Sequence, residues 1–350
     1  MSLHKNQLSN PNLEINVLFL SKLPKEVESY ISNNLKRFKK LNLIFSDNLT
    51  EEEILNISKE VEIIVGWRPS IELLENAKRL KLFIVPGTGV NHIIDKFKKI
   101  NQNRKVLLAN GHGNSYFVAQ HAVSLLLTFM SKIIPHHLWM KEGKWRTGDK
   151  EAASIPLRFK KIGLLGYGAV NQKVHNFLAG FDIEFSVFRK DWSHKSKSLP
   201  TPVKKFSYPN IEDFLKEIEI LIVAVPVTNL TINMITKKEL TLLGDKGIIV
   251  NVARGEIINE KDLYFALKNK LILGACIDVW YEKNPIADKN NKKYPYHYPF
   301  HDLKNIILSP HRGYSPFNDL LRWNEVIENI AKMIEGKKDY INIVDLEEGY

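Results

Sequence analysis

The chain has 350 residues, a length that allows two domains with substantial hydrophobic cores. Its hydrophobic content of 44% and charged content of 25% are typical of a globular protein and exclude a disordered or fibrous one. The formal net charge is +11, but the basic residues are scattered and form no stripe interleaved with aromatic residues, so we expect no nucleic-acid partner.

The first half of the chain alternates short apolar runs with amphipathic stretches. Residues 1–13 are polar and lack the apolar run of a signal peptide, and no segment has the roughly 18 consecutive apolar residues of a membrane span. We therefore expect a cytoplasmic protein with no membrane partner. Beyond residue 13, the alternation is typical of buried parallel strands and the helices that cover them. The predicted strands are Ile15–Leu20, Ile63–Gly66 and Leu82–Pro86, and the predicted helices are Glu26–Lys39, Thr50–Lys59 and Ile71–Ala77.

A long apolar segment predicts one buried helix over Tyr116–Ile134, after a good N-cap at Asn114-Ser115. The strand pattern then resumes, with predicted strands at Ile162–Leu165, Ile183–Phe188, Ile220–Val225, Ile248–Asn251, Leu273–Val279 and Ile306–Leu308. Cys276, the only cysteine, lies in this series, so an intramolecular disulfide is excluded and a buried thiol is expected. A terminal helix over Asp319–Glu335 should end at Gly336. The fold class is therefore α/β, with two doubly wound parallel sheets.

A glycine turn follows the strand Ile162–Leu165. Gly166 allows a tight turn, and Gly168 lets the backbone approach a pyrophosphate at the start of the next helix, where N–H groups are free. The third glycine of the dinucleotide fingerprint is replaced by Asn171, at a position that serves helix–strand packing. We predict a dinucleotide site whose turn comprises Gly166, Tyr167, Gly168, Ala169 and Val170.

The end of the next strand bears on the choice of cofactor. An NAD site would carry an acidic residue there for the ribose hydroxyls, but the chain has Arg189, followed by Lys190, His194 and Lys195. A guanidinium suits a 2′-phosphate and offers the ribose no acceptor, so NADP(H) is the preferred prediction. In the alternative, Arg189 is solvated, Asp191 accepts the ribose, and the cofactor is NAD(H).

Five segments stand out in order along the chain: Gly87–Ile93, Ala109–Ala122, Val225–Thr231, Asn251–Gly255 and Ser309–Gly313. Together they resemble signatures of the D-isomer-specific 2-hydroxyacid dehydrogenases. The likeness extends over essentially the whole length and implies hydride transfer between NADP(H) or NAD(H) and a small 2-hydroxy or 2-oxo acid, as in glyoxylate and hydroxypyruvate reductases. It also implies a homodimer.

The resemblance also implies a domain organisation. A Rossmann-type dinucleotide-binding domain over residues 114–311 is expected to be inserted into a flavodoxin-like substrate domain, formed by residues 1–113 and 312–350. The active site is then expected in the cleft between the two domains.

The resemblance implies roles for individual residues. Arg254 would bind the substrate carboxylate and polarise its carbonyl, and His311 would exchange a proton with the carbonyl oxygen, roles that suit a guanidinium and an imidazole. Thr88 and Gly89 would offer backbone N–H groups to the carboxylate. Asp278 would contact the nicotinamide carboxamide. The other implied cofactor contacts are Val225, Pro226, Thr231, Val252, Ala253 and Gly313.

The sequence departs from the family pattern at the catalytic glutamate, which pairs with the histidine and raises its pKa. Counted from Asp278, the glutamate position holds Lys283; counted back from the following proline, it holds Asn284. Glu282 is the nearest acid, one place early, and we predict that it supports His311 as the third catalytic residue. An amide partner, Asn284, is the alternative.

Two other classes of function stay open. The chain would be a dinucleotide-sensing interaction protein if it resembled the corepressors of this family, although the complete Arg254–His311 pair argues against that. It would be a formate- or phosphite-type anion dehydrogenase if its substrate lacked the hydroxy-acid frame. His297 and His301, in the aromatic-rich segment Lys292–His301, are metal ligands by type, but no matching cluster exists and no metal is expected.

Overall fold

A computed structural model describes residues 15–146, 152–193, 199–314 and 319–350. The chain divides into two compact units. One comprises Met1–Asn114 and Asn318–Tyr350, and the other comprises Ser115–Phe317. Each unit is an α/β structure built on its own parallel sheet, which confirms the predicted fold class.

The first unit contains a five-stranded sheet in the order β2-β1-β3-β4-β5, the flavodoxin-like order. Three of its strands confirm predictions, whereas β2 and β5 were not predicted. The strands are β1 (Ile15–Phe19), β2 (Leu41–Phe45), β3 (Ile63–Val65), β4 (Leu82–Val85) and β5 (Leu107–Asn110). The helices between them are α1 (Lys25–Leu35), α2 (Glu51–Ser58), α3 (Ile71–Asn76) and α4 (Ile94–Asn101).

Successive residues of β1 enter two different cores, because neighbouring side chains of a strand point to opposite faces. Leu18 packs in the core that α3 and α4 cover, and Val17 packs in the core that α1 covers. The C-terminal helix Asn324–Ile334 lies in the second of these cores, with Val326 fully buried. This helix follows a 3-10 turn and ends before Gly336, whose φ of 69° confirms the predicted C-cap.

The second unit contains a seven-stranded parallel sheet in the order β12-β11-β10-β9-β6-β7-β8. The order reverses beside β6, as in Rossmann sheets, and such a reversal opens a crevice at the carboxyl ends of the strands. The strands are β6 (Lys161–Leu165), β7 (Glu184–Arg189), β8 (Val203–Ser207), β9 (Ile220–Val223), β10 (Ile248–Asn251), β11 (Gly274–Ile277) and β12 (Ile306–Leu308). The helices are α5 (Ser115–Met130), α6 (Ile133–Lys141), α7 (Ala169–Leu178), α8 (Ile211–Lys216), α9 (Lys237–Leu243) and α10 (Glu260–Lys268); the C-terminal helix of the first unit is α11.

The strand predictions for the second unit are confirmed except at β8, an edge strand with a polar sequence that was not predicted. Cys276 lies fully buried in β11, as expected for a packed thiol. Its Sγ is 3.5 Å from the carbonyl oxygen of Leu125 in α5.

The single helix predicted over Tyr116–Ile134 is wrong at its C-terminal end. α5 ends at Met130, Lys132 takes a left-handed φ of 52°, and α6 starts at Ile133 with its axis bent by 61°. α5 buries Leu126 against the sheet, whereas α6 has no buried residue. Across the described ranges, no individual helix has the length and apolarity to cross a membrane. α5 and α6 reach that length and apolarity only when they are counted together, across the 61° bend between them.

Candidate active site

The glycine turn between β6 and α7 has the geometry of a phosphate-binding turn. Gly166 has a φ of 81°, and a Cβ there would lie 2.7 Å from the carbonyl oxygen of Ala224, so a larger residue does not fit. Gly168 is exposed, has open space around it, and is the N-cap of α7. Among the described residues no side chain caps α7, so the N–H groups of its first turn are available to an anion. These residues fit the pyrophosphate of a dinucleotide.

Tyr167, predicted in the cofactor site, turns its side chain into the protein. Its hydroxyl lies 2.7 Å from Nδ1 of His175, and Nε2 of that ring lies 2.8 Å from Oγ1 of Thr201. His175 is completely buried, and burial lowers its pKa to about 4. Tyr167 therefore offers the cofactor only its backbone. No sequence pattern indicated His175, because its partners are set by the packing of α7.

Asn171, which replaces the third glycine of the fingerprint, ties the turn to the sheet. It is fully buried, and its Nδ2 lies 3.2 Å from the carbonyl oxygen of Leu165, 2.7 Å from that of Gly166 and 3.3 Å from that of Ile222. The position serves packing, as expected, and adds hydrogen bonds that a glycine could not make.

A basic cluster lies at the carboxyl end of β7. The guanidinium of Arg189 lies 5.1 Å from the ring centre of Trp192, and Nζ of Lys205 on β8 lies 4.9 Å from the same ring. Nε1 of Trp192 donates to the carbonyl oxygen of Phe206 at 2.9 Å, which fixes the ring. Trp192 and Lys205 were not predicted; the ammonium of Lys205 adds positive charge near the arginine, and the indole ring packs against both cations.

Lys190 and Asp191 directly follow Arg189 in the sequence. Lys190 is exposed. Asp191, the alternative ribose ligand, accepts hydrogen bonds from the backbone N–H and the hydroxyl of Ser193. His194 and Lys195 lie outside the described residues.

The loop after β9 packs against the glycine turn. Thr231 Oγ1 donates to the carbonyl oxygen of Pro226 at 2.6 Å and accepts from the N–H of Thr228 at 2.8 Å, which closes the loop on itself. A Cβ at Gly166 would lie 2.7 Å from Cγ1 of Val225. The predicted cofactor contacts in this loop therefore border the turn.

Arg254 is held by the residues that follow β10. Asn251 accepts from the N–H of Ala253 at 3.0 Å and donates to the carbonyl oxygen of Arg254 at 2.9 Å. Nη1 of Arg254 donates to the carbonyl oxygen of Ala253 at 2.6 Å. Burial lowers the pKa of Arg254 and Glu256 opposes the shift, so the guanidinium stays charged. Within the described part of the chain, this single bond leaves further guanidinium N–H donors for a ligand. The neighbouring Val252 and Ala253 are buried.

His311 follows β12 and takes a left-handed φ of 56°. Partial loss of solvation lowers the pKa of His311, the carboxylate of Asp278 opposes that shift, and the charge of Arg254 adds to it. Because β10, β11 and β12 are adjacent parallel strands, the residues that follow them, Arg254, Asp278 and His311, lie at one edge of the sheet.

Asp278 is buried at the end of β11, and both its oxygens bind the segment Ser309–Gly313 that carries His311. Burial by itself would raise the pKa of Asp278, but hydrogen bonds from His121, Ser309 and the backbone of Arg312 and Gly313 together lower it. The carboxylate expected to contact the nicotinamide thus has protein partners on both oxygens.

The hydrogen bonds of Glu282 run to Asn284 and Pro295. Its carboxylate is exposed and accepts from the N–H of Asn284 at 2.8 Å. The hydrogen bond to Glu260 raises the pKa of His297, and the charge of Glu282 adds to that shift. The N–H groups of Tyr281 and Glu282 both bind the carbonyl oxygen of Pro295, so the backbone is committed to a different loop. Among the described residues, the charges that act on His311 are those of Asp278 and Arg254.

The predicted substrate loop lies in the first unit. Thr88 Oγ1 donates to the carbonyl oxygen of Gly111 at 3.2 Å, and Nδ2 of Asn110 donates to the carbonyl oxygen of Thr88 at 2.8 Å. Gly87 lies against Trp67, since a Cβ at Gly87 would be 2.2 Å from the indole ring. Gly89 is half-buried beside them. The loop is therefore fixed by hydrogen bonds before any ligand binds.

The two histidines of the aromatic segment have protein partners. His297 Nδ1 lies 2.8 Å from Oε2 of Glu260, and the ring of His301 stacks on Tyr294 with centres 4.1 Å apart. In the ranges that the structure describes, no three potential metal ligands come together.

Comparison with known proteins gives matches over most of the chain. The sequence profile of the family described as D-isomer specific 2-hydroxyacid dehydrogenase, NAD binding domain, matches residues 123–313. The chain is 30% identical over 303 residues to a D-3-phosphoglycerate dehydrogenase of Archaeoglobus fulgidus, which covers 85% of this chain but only 54% of that relative. It is 28% identical over 293 residues to a hydroxypyruvate reductase of Thermotoga maritima, covering 83% of this chain and 90% of the relative.

Solved structures share the fold. A probable 2-hydroxyacid dehydrogenase from Rhizobium etli, in complex with NADP, HEPES and L(+)-tartaric acid, has a TM-score of 0.75 and 19% identity. The match covers 97% of this chain and 100% of that chain.

Proposed function

We propose, since this chain belongs to the D-isomer-specific 2-hydroxyacid dehydrogenase family, that it transfers a hydride reversibly between NADP(H) or NAD(H) and a small 2-hydroxy or 2-oxo acid. Glyoxylate and hydroxypyruvate are the proposed substrates. The observation that carries the proposal is the convergence of Arg254, Asp278 and His311 after the neighbouring strands β10, β11 and β12. Ligands of open α/β sheets bind at these carboxyl ends.

The two side chains divide the chemistry. Arg254 binds the substrate carboxylate with two parallel hydrogen bonds and draws electron density from the adjacent carbonyl. His311 gives its ring proton to the carbonyl oxygen during reduction and takes it back during oxidation. The bound nicotinamide supplies or accepts the hydride. Because its pKa is lowered, His311 is mainly neutral near pH 7, so reduction should slow as the pH rises through that pKa.

NADP(H) is the proposed preferred cofactor. The backbone of Gly166–Val170 would hold the pyrophosphate, and Arg189 would bind the 2′-phosphate, with Lys190 nearby. The packing of Arg189 and Lys205 about one indole ring supports this, since it concentrates positive charge where the 2′-phosphate is expected. The remaining cofactor contacts that we propose are Val225, Pro226, Thr231, Val252, Ala253, Asp278 and Gly313.

The domain roles and assembly state are part of the proposal. The substrate domain would comprise residues 1–113 and 312–350, with Thr88 and Gly89 offering N–H groups to the carboxylate, and the Rossmann-type domain would comprise residues 114–311. A cytoplasmic homodimer is proposed. α6 supports the dimer, because Ile133, Leu138 and Met140 are 53%, 50% and 59% exposed, and a cluster of exposed apolar side chains is typical of an interface.

The test is the initial rate of nicotinamide oxidation with glyoxylate, hydroxypyruvate, pyruvate and 2-oxoglutarate, each with NADPH and with NADH. Arg254→Ala serves as the control for contaminating activity. Turnover that requires Arg254 and prefers NADPH supports the whole proposal, whereas a preference for NADH removes only the cofactor assignment. Measurable cofactor binding without turnover of any 2-oxo acid would refute the proposed reaction.

A further inference from the structure

The segment that carries His311 is attached to a network of three side chains. The hydroxyl of Ser309 donates to Oδ1 of Asp278, and Nε2 of His121, on α5, lies 2.8 Å from the same hydroxyl oxygen. Because the hydroxyl proton is directed at Asp278, the oxygen must accept from His121, so Nε2 of His121 carries a proton. That nitrogen also lies 3.3 Å from Oδ1 of Asp278. The chain of donors thus runs from His121 through Ser309 to Asp278.

The network holds the backbone on both sides of His311. Asp278 accepts from the N–H of Arg312 at 2.7 Å and of Gly313 at 2.9 Å, and Nε1 of Trp280 donates to the carbonyl oxygen of Ser309 at 2.8 Å. His311 has a φ of 56°, which residues with a side chain rarely adopt. Such a conformation persists only where the surroundings over-determine it. The network supplies these constraints.

Two of the three side chains of the network are buried, whereas the side chain of His121 is 26% exposed. Asp278 is 2% exposed and Ser309 is 5% exposed. Hydrogen bonds to a buried carboxylate are stronger than those in water, and losing one leaves a buried charge without compensation. Removing one member should therefore displace the whole segment rather than one side chain.

We propose that His121 and Ser309 are positioning residues, which act through Asp278 to hold His311 in its reactive orientation. Among the described residues, no glutamate pairs with this histidine, so another group must orient it. The inference rests on the proposed function, since His311 is the proton donor there. The proposal assigns to residues on α5 and at the end of β11 the orienting role that the sequence predicted for Glu282.

The groups that surround His311 determine how its pKa, and therefore the pH profile, would respond to a change in the network. Asp278 and Arg254 act on its ring electrostatically, the ring of Tyr314 contacts it edge-on at 5.5 Å, and His121 acts on it through Asp278. If the segment moves away from Asp278, the carboxylate no longer opposes the lowering of the His311 pKa. The pH above which reduction slows should then move to a lower value.

The variants are His121→Asn and Ser309→Ala, with Ser309→Thr as the conservative variant and His301→Asn as a matched histidine control outside the network. We expect the first two to lower kcat for 2-oxo acid reduction at least tenfold, to shift the basic limb of the kcat/KM profile to lower pH, and to change the Kd of NADPH less than threefold. Ser309→Thr should restore most of kcat. Unshifted pH limbs, or a parallel loss of NADPH binding, would overturn the proposal. So would a larger effect from Glu282→Gln.

A second measurement needs neither turnover nor a variant. In protein labelled with ¹⁵N-histidine, the ring of His121 should show a protonated Nε2 with a slowly exchanging hydrogen, and its resonances should respond when the His311 segment binds substrate analogue. A proton on Nδ1 alone would overturn the network. If the unaltered protein turns over no 2-oxo acid, the proposed function fails, and this spectrum still decides the positioning contacts.

Discussion

Acidification should destabilise the second unit through one buried histidine, His175. Its two ring nitrogens lie 2.7 Å from the hydroxyl of Tyr167 and 2.8 Å from that of Thr201, and none of its surface is exposed. A neutral ring satisfies both contacts by donating one hydrogen bond and accepting the other. A protonated ring must donate both and carries a charge without solvent around it.

The size of the effect follows from the two pKa values. Burial lowers the pKa of His175 from 6.5 to about 4. Below pH 6.5 the unfolded chain binds the proton first, so the free energy of unfolding falls as the pH drops from 6.5 to about 4, and it is unaffected at pH 8. With 1.36 kcal/mol per pKa unit, the loss is about 2 kcal/mol at pH 5.

Urea unfolding of the wild type and of His175→Gln, at pH 8 and at pH 5, measures this effect. Glutamine keeps a hydrogen-bonding side chain but does not titrate, so the variant should lose about 2 kcal/mol less than the wild type between the two pH values. His301→Asn, at a histidine on the surface, should behave like the wild type. If His175→Gln and the wild type lose the same free energy, the reasoning from burial is wrong.

Since Tyr167 belongs to the glycine turn, NADPH should also bind more weakly to the wild type at pH 5 than at pH 8.

Four further substitutions test the site. Arg254→Lys should lower kcat/KM for the 2-oxo acid by about 10²-fold, because an ammonium cannot bind a carboxylate through two parallel N–H groups; initial rates near those of the wild type would contradict the assigned role. Arg189→Ala should reduce the preference for NADPH over NADH by about 10- to 100-fold in Kd, the value of a charge-assisted hydrogen bond; an unchanged ratio would mean that the 2′-phosphate binds elsewhere. Asn171→Ala should cost about 2 kcal/mol in urea unfolding, since buried carbonyl groups lose a donor, and an unchanged midpoint would show that the amide contributes nothing. Gly313→Ala places a Cβ 2.9 Å from Oδ2 of Asp278, so kcat should fall at least tenfold while the thermal midpoint changes little; full activity would show that the loop tolerates displacement.

Local sequence patterns determined the architecture, because burial on both faces of a parallel sheet requires nearly continuous apolar strands. Nine strands were predicted on that ground, and the structure has all of them. One strand that was missed, β8 with its two lysines, lies at the sheet edge, where solvent allows polar residues. The glycine turn was also predictable, since the φ of Gly166 and the space around Gly168 leave few alternatives to glycine.

Only the tertiary structure decided which groups surround His311. Spacing along the chain suggested Glu282, but the backbone of that residue is bound to Pro295 and its carboxylate accepts a hydrogen bond from the N–H of Asn284. The groups that hold His311 in place come from α5, β11 and the loop after β12, and His121 is 188 residues from its partner Ser309. Secondary-structure periodicity reports which face of an element is buried, but it carries no information about which distant polar side chains meet there. Those contacts depend on the register and order of strands, and this is why the network could be identified only after the sheet was assembled.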